Sequence, residues 1–156
     1  MRGMRRICYT IFSVFIGGCT PIGGIPNDAP VPAAPPSQAV ATIAAPSTII
    51  DARIAALCQQ PGTRMARPAP MRLQCRRLLP PEGAARAILT YDGSINALPE
   101  TVLEFDISAL PQLRLTAYVE IPRKDGTALR LAYPGLRTQR QLMGIMRRIG
   151  ATDAPE

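Results

Sequence analysis

Glu104 and Asp106 stand two residues apart in a run that alternates apolar and charged side chains, so both carboxylates leave an extended strand on the same side. Such a pair could share acid and base work, as glycoside hydrolysis requires. Alternation of this kind far more often marks a sheet with one dry and one wet face, and that is the expectation for these two acids. The rest of a catalytic set is missing from the sequence. No histidine supplies a general base or metal ligand, Ser94 and Ser108 lack a partner base, and no phosphate-cradling or dinucleotide glycine pattern occurs. Cys58 and Cys75 are too far apart for a Cys-x-x-Cys redox motif, and two thiols without histidine do not complete a zinc site. Tyr91, Tyr118 and Tyr133 are dispersed rather than grouped as a base-stacking platform. The residue chemistry therefore points to binding rather than catalysis, with no metal or dissociable cofactor.

A different chemistry is written near the amino end. Cys19 follows Ile16, Gly17 and Gly18 at the close of an uncharged stretch from Ile7 to Ile16, which Arg2, Arg5 and Arg6 precede. A basic n-region, an apolar h-region and small residues before a cleavage point make a secretory signal. About ten apolar residues fall short of the roughly 20 that span a bilayer as a helix, which argues against an uncleaved anchor. Arg5 and Arg6 lack the surroundings of a twin-arginine signal and serve as ordinary n-region charge. Over this segment alone the chain resembles a bacterial lipoprotein, with Ile16-Gly17-Gly18-Cys19 as its lipobox. The resemblance implies that residues 1–18 are removed, that a diacylglyceryl group is attached to Cys19, and that the new amine is acylated. Thr20, where an aspartate would signal inner-membrane retention, implies the outer membrane. The protein would then face the periplasm, anchored to the bilayer by covalent lipid. In that oxidising space Cys58 and Cys75, the pair that remains, are expected to form a disulfide, with free buried thiols as the alternative.

The formal net charge of +7 includes the three arginines of the signal, and from Cys19 onward 15 basic residues face 11 acidic ones, a balance of +4. That is mildly basic and no signature of a nucleic-acid partner. Lys124 is the only lysine, so the arginine content reads first as a coding bias. Two groups still qualify as candidate binding surfaces. Arg64, Arg67, Arg72, Arg76 and Arg77 form a run with no acid among them. Arg137, Arg140, Arg147 and Arg148 lie on the polar side of an amphipathic segment and suit an acidic partner, anionic lipid or polysaccharide, or simply a solvated helix face.

The elements that must position these groups follow from periodicity and punctuation. Residues 19–46 carry Pro21, Pro26, Pro30, Pro32, Pro35, Pro36 and Pro46 with a single charge at Asp28, the composition of an extended flexible tether. Residues 47–150 remain for one small domain, and residues 151–156 for a disordered tail. A helix is expected from Ser47 and Thr48, which are candidate caps, with Asp51 near its start and Ile50, Ile54, Leu57 and Cys58 on one face. Gly62 to Pro81 reads as irregular apart from a short strand through Met71, Leu73 and Cys75, and Ala87–Tyr91 as a strand before a turn at Asp92 and Gly93. Leu103, Phe105 and Ile107 alternate with acids, and Leu113 to Ile121 alternate with polar residues, as half-buried strands do. A three-residue loop of Lys124, Asp125 and Gly126 sets Ile121 opposite Leu129, Val119 opposite Leu131 and Glu120 opposite Arg130. Thr138 and Gln141 fit a capping box for a last helix with Leu142, Ile145, Met146 and Ile149 inward and Gly150 as its stop. The expected fold is α+β, an antiparallel sheet of about four strands with an amino-terminal and a carboxy-terminal helix on one face. The expected function is a non-enzymatic accessory, assembly or binding module for another envelope protein, such as part of a secretion or outer-membrane machine. The alternative is direct binding of an anionic envelope polymer or lipid through the arginines.

Overall fold

The computed structural model describes residues 37–132 and 139–153. The chain runs β1 (Ser37–Thr42), α1 (Ser47–Leu57), β2 (Thr63–Ala69), β3 (Arg72–Leu78), α2 (Pro81–Tyr91), β4 (Glu100–Asp106), β5 (Gln112–Pro122), β6 (Ala128–Leu131), α3 (Gln139–Arg148) and β7 (Thr152–Asp153). The class is α+β, as the sequence indicates. The sheet is larger than expected, ordered β2-β3-β4-β5-β1-β7 with β6 also on β5, and every pairing described is antiparallel. Its organiser is β5, whose 11 residues are long enough to hold β1 along the first half of one edge and β6 along the second half, while β4 takes the other edge.

The register sorts side chains onto two faces. Leu73, Phe105, Leu115 and Ala39 share one face, and α1 and α3 close over it with Ile50, Ile54, Leu142 and Met146, all fully buried. Burying each such aliphatic side chain stabilises the fold by about 1.5–3 kcal/mol relative to leaving it in water. A second cluster, Val119, Ile121 and Leu131 under Ala87 of α2, continues the same face. All three helices therefore cover one side of the sheet, and Gln74, Arg76, Val102, Glu104, Tyr118, Glu120 and Arg130 occupy the other. Cys58, just beyond α1, is disulfide-bonded to Cys75 of β3. For a loop of this length the cross-link restricts the unfolded chain by about 3 kcal/mol in the chain-entropy model.

Several elements differ from expectation for physical reasons. Ser37–Thr42, assigned to the tether, pairs with β5 and β7 in the body of the sheet; its inward residues Ala39 and Ala41 are small because α3 packs directly upon them. Thr152–Asp153, assigned to the tail, is the short strand β7. Thr63–Ala69 is a strand interrupted by a register shift between Ala66 and Ala69, where Pro68 lacks an amide hydrogen for the ladder. Ala87–Tyr91 is helical: Pro81 in the first turn, Glu82 near the helix start and a run of alanines outweigh the strand preference of Ile88, Thr90 and Tyr91, and Asp92 ends the helix with φ 52°. α1 enters from Pro46 with no side-chain cap, and Asp51 lies past its first turn, bonded instead to Arg67. The β5–β6 hairpin has the expected register, with Gly126 at φ 83°. Gly150 closes α3 at φ 87°, while Thr138, the expected cap at its start, lies outside the described residues.

Candidate functional site

The face of the sheet opposite the three described helices carries a connected polar network. Glu100 and Glu120 are direct cross-strand neighbours on β4 and β5, two like charges that need a cation between them. Arg76 of β3 supplies it: Nε donates to Glu100 Oε2 at 2.7 Å, Nη2 donates to Glu120 Oε1, and Nη1 donates to Gln74 Oε1 at 2.9 Å. Arg64 grips Glu100 with two parallel bonds of 3.0 and 2.8 Å, and Arg130 donates to Glu120 Oε2 at 3.0 Å while its guanidinium lies 4.9 Å from the Tyr118 ring centre. Tyr118 Oη donates to Glu104 Oε2 at 3.1 Å, and Gln74 Nε2 donates to the same oxygen at 2.6 Å.

Arg130 lies over the Tyr118 ring and Arg76 bonds to Gln74, and Tyr118 and Gln74 are only 2% exposed although no helix among the described residues packs on them. The titration behaviour follows. Burial opposes ionisation of Glu120, but hydrogen bonds and charge from Arg76 and Arg130 outweigh it and hold its pKa below the usual value. Burial likewise opposes the Arg76 charge, and Glu120 and Glu100 overcome that to raise its pKa. Burial, reinforced by Glu104, pushes the Tyr118 phenol well above its ordinary range, so it stays a hydrogen donor. Asp106 is lowered by the hydroxyl and amide of Ser108, with Arg72 adding charge from 3.7 Å.

Glu104 and Asp106 do share a face as their spacing requires, but each is engaged by neighbouring donors and neither lines the two pockets described below. The first arginine group is also placed differently from a bare cationic run. Acids from other elements reach it: Glu100 to Arg64 and Arg76, Asp51 to Arg67, Asp106 to Arg72, and Glu120 to Arg76. These four arginines are committed within the fold. Arg77 points to the opposite face, where among the described residues no carboxylate pairs with it. Arg140, Arg147 and Arg148 are exposed on α3; Arg137 and Cys19 lie outside the described residues.

Arg77 and Arg148 both line a groove of about 940 Å³ between the end of α1, one face of α3 and the approach to α2. Its floor is the corner of the sheet where the dry face turns polar: Thr63, Arg77 and Thr101 stand in register across β2, β3 and β4. Leu57, Leu103 and Ile145 give apolar walls, and among the described residues that line it there is no carboxylate or aromatic side chain. On α3, Gly144 borders the groove, and a Cβ placed there would meet nothing within 4 Å. A second, smaller hollow of about 320 Å³ lies between α2 and the β5–β6 hairpin over Val119, Ile121 and Leu131.

The sequence holds Arg77 and Arg148 as candidates but not their convergence, which needs the strand order and the seating of α3. Gly144 stands outside the apolar stripe that marks α3, although a glycine inside an amphipathic helix is the available signal for open space. Arg53 of α1 is another omission: its Nη1 donates at 2.9 Å to the carbonyl of Ile149 and so caps the end of α3. Among the described residues no group of histidine, cysteine or acidic side chains is placed to hold a metal. No family model matches this chain, and neither a curated protein nor a solved structure matches it.

Proposed function

We propose that this chain is a lipid-anchored, periplasm-facing protein of the outer membrane that acts without catalysis, as an accessory or binding module for another envelope protein. The observation that carries the reading is the unequal use of charge. Glu100, Glu104 and Glu120 are occupied in holding strands together and Asp106 accepts from Ser108, while Arg77 and Arg148 are left beside an open groove. Carboxylates tied to fixed cations and donors are poor acid–base catalysts, whereas cations beside a dry wall suit a partner surface. The lipid on Cys19 supplies location, and the proline-rich residues that follow supply reach.

The test is photo-crosslinking of the full chain in cells, followed by identification of attached neighbours, beside a Cys19→Ser chain labelled with palmitate. Palmitate is expected in the wild-type protein alone, with a discrete protein neighbour that the unanchored variant loses. A wild-type chain that takes no palmitate and sediments with envelopes no better than Cys19→Ser removes the anchor from the reading. A second reading, direct binding of anionic lipid or polymer, draws on the exposed arginines of α3. It expects association with phosphatidylglycerol vesicles that falls steeply between low and physiological salt.

A further inference from the structure

We propose that the groove beside Arg77, Arg148 and Gly144 docks an extended acidic segment of the partner protein, one that carries Asp or Glu next to Leu, Ile or Val. This deepens the binding-module reading and rests on it. Charge complementarity is the first argument. Two guanidinium groups border the groove, and among the described residues that line it there is no acid. Guanidinium presents a fork of donors that fits a carboxylate with two parallel bonds.

The second argument separates a peptide from other anions. Thr63 and Thr101 flank Arg77 in one cross-strand row, and Gln60 adds a side-chain amide at the same place. A lipid acyl chain laid over this row would strip water from hydroxyl and amide groups without replacing its hydrogen bonds, which is costly. A peptide backbone offers a donor and an acceptor at nearly every residue and satisfies them. Among the described lining residues there is no aromatic side chain on which a nucleobase would stack. Leu57, Leu103 and Ile145 then accept the aliphatic side chain next to the acid.

Gly144 is the third and independent argument. It lies inside α3, where glycine is the poorest helix former apart from proline, and the space above it would admit a Cβ without contact. The helix forgoes an easy gain at a position that borders the groove. An approaching backbone needs such a bare position.

The experiment is selection of a displayed random-decapeptide library on the full chain in detergent, followed by fluorescence anisotropy of the selected peptide. Enrichment of Asp or Glu beside an aliphatic residue is expected. Gly144→Leu, which fills the groove, and Arg77→Gln or Arg148→Gln, which remove its charge, are each expected to weaken that peptide by about tenfold or more, with the thermal unfolding midpoint retained. The proposal is overturned by selected peptides without acidic enrichment, or by affinity indifferent to Gly144→Leu. It is also overturned if phosphatidylglycerol vesicles, and not the peptide, shift the amide resonances of Arg77 and Gly144. In cells, crosslinking of the same neighbour by wild-type and Gly144→Leu chains sinks the groove and leaves the module standing. Capture of no neighbour by either sinks the module itself.

Discussion

Arg76 is the side chain on which the open face of the sheet depends, because it stands between two carboxylates that the β4–β5 register sets side by side. Its side chain is only 14% exposed, and Glu100 and Glu120 are no more open than that, so the charges are weakly screened. Arg76→Met leaves two buried acids facing each other and is expected to cost about 3 kcal/mol at neutral pH, read from the urea midpoint. The dependence on pH gives the sign. In the wild type Glu120 has a folded pKa below its ordinary 4.5, so its contribution is complete above that value and is lost as pH falls through the folded one. In Arg76→Met only Arg130 remains of the two cations that lowered it and burial acts in the other direction, so acid now relieves the repulsion between Glu120 and Glu100. The stability gap between the two proteins should shrink by more than half on going from about pH 7 to about pH 4. A gap that does not change with pH would show that Arg76 serves by packing alone. With no histidine in the chain, neither protein should vary much between about pH 6 and 8.

Among the elements, α3 holds one glycine and is closed by another, and the two have opposite demands. At Gly150 the backbone has φ 87°, and a Cβ would collide with the Arg53 guanidinium that caps the helix. Gly150→Ala should cost about 1–2 kcal/mol, seen as a lowered melting temperature. At Gly144 there is no such obstacle, and Gly144→Ala should stabilise the fold by about 0.5–1 kcal/mol. Loss of stability there would mean that the space above α3 is already filled. The same contrast explains what the sequence makes legible. The β5–β6 hairpin is readable because only one register keeps Val119, Ile121, Leu129 and Leu131 on a single face, and Gly126 fixes the loop. α1 and α3 are readable from their buried aliphatic stripes. α2 is not, since its inward face is built from Ala84 and Ala87 and its last turn carries strand-favouring residues. β1 hides for a related reason: alanines facing a helix leave little amplitude in the pattern, and the prolines before them resemble a linker. The ion pairs that occupy the first arginine group are invisible to any local window, because each acid arrives from a distant element.

For the molecule as a whole, the decisive connection is that β1 lies between β5 and β7 rather than at an edge. A chain beginning at Pro32 should keep the cooperative unfolding transition, whereas one beginning at Ile43 should lose it, since the backbone ladder of β5 and the seat of α3 go together. Far-ultraviolet circular dichroism during a thermal ramp distinguishes the two, and a sharp transition in the shorter chain would make β1 dispensable. The helices show the same economy: the three described crowd one side of the sheet, and on the other side Arg76 and Arg130 lie against Gln74 and Tyr118.

The place of β1 also bears on how the protein is made. A ribosome delivers Ser37–Thr42 long before Gln112–Ala117, the segment that must lie beside it, and before Thr152–Asp153 on its other flank. Throughout that interval the early strand has no ladder to join. The nascent chain therefore reaches its native sheet only near the end of synthesis, and whatever escorts it until then must keep its amino-terminal third from pairing elsewhere.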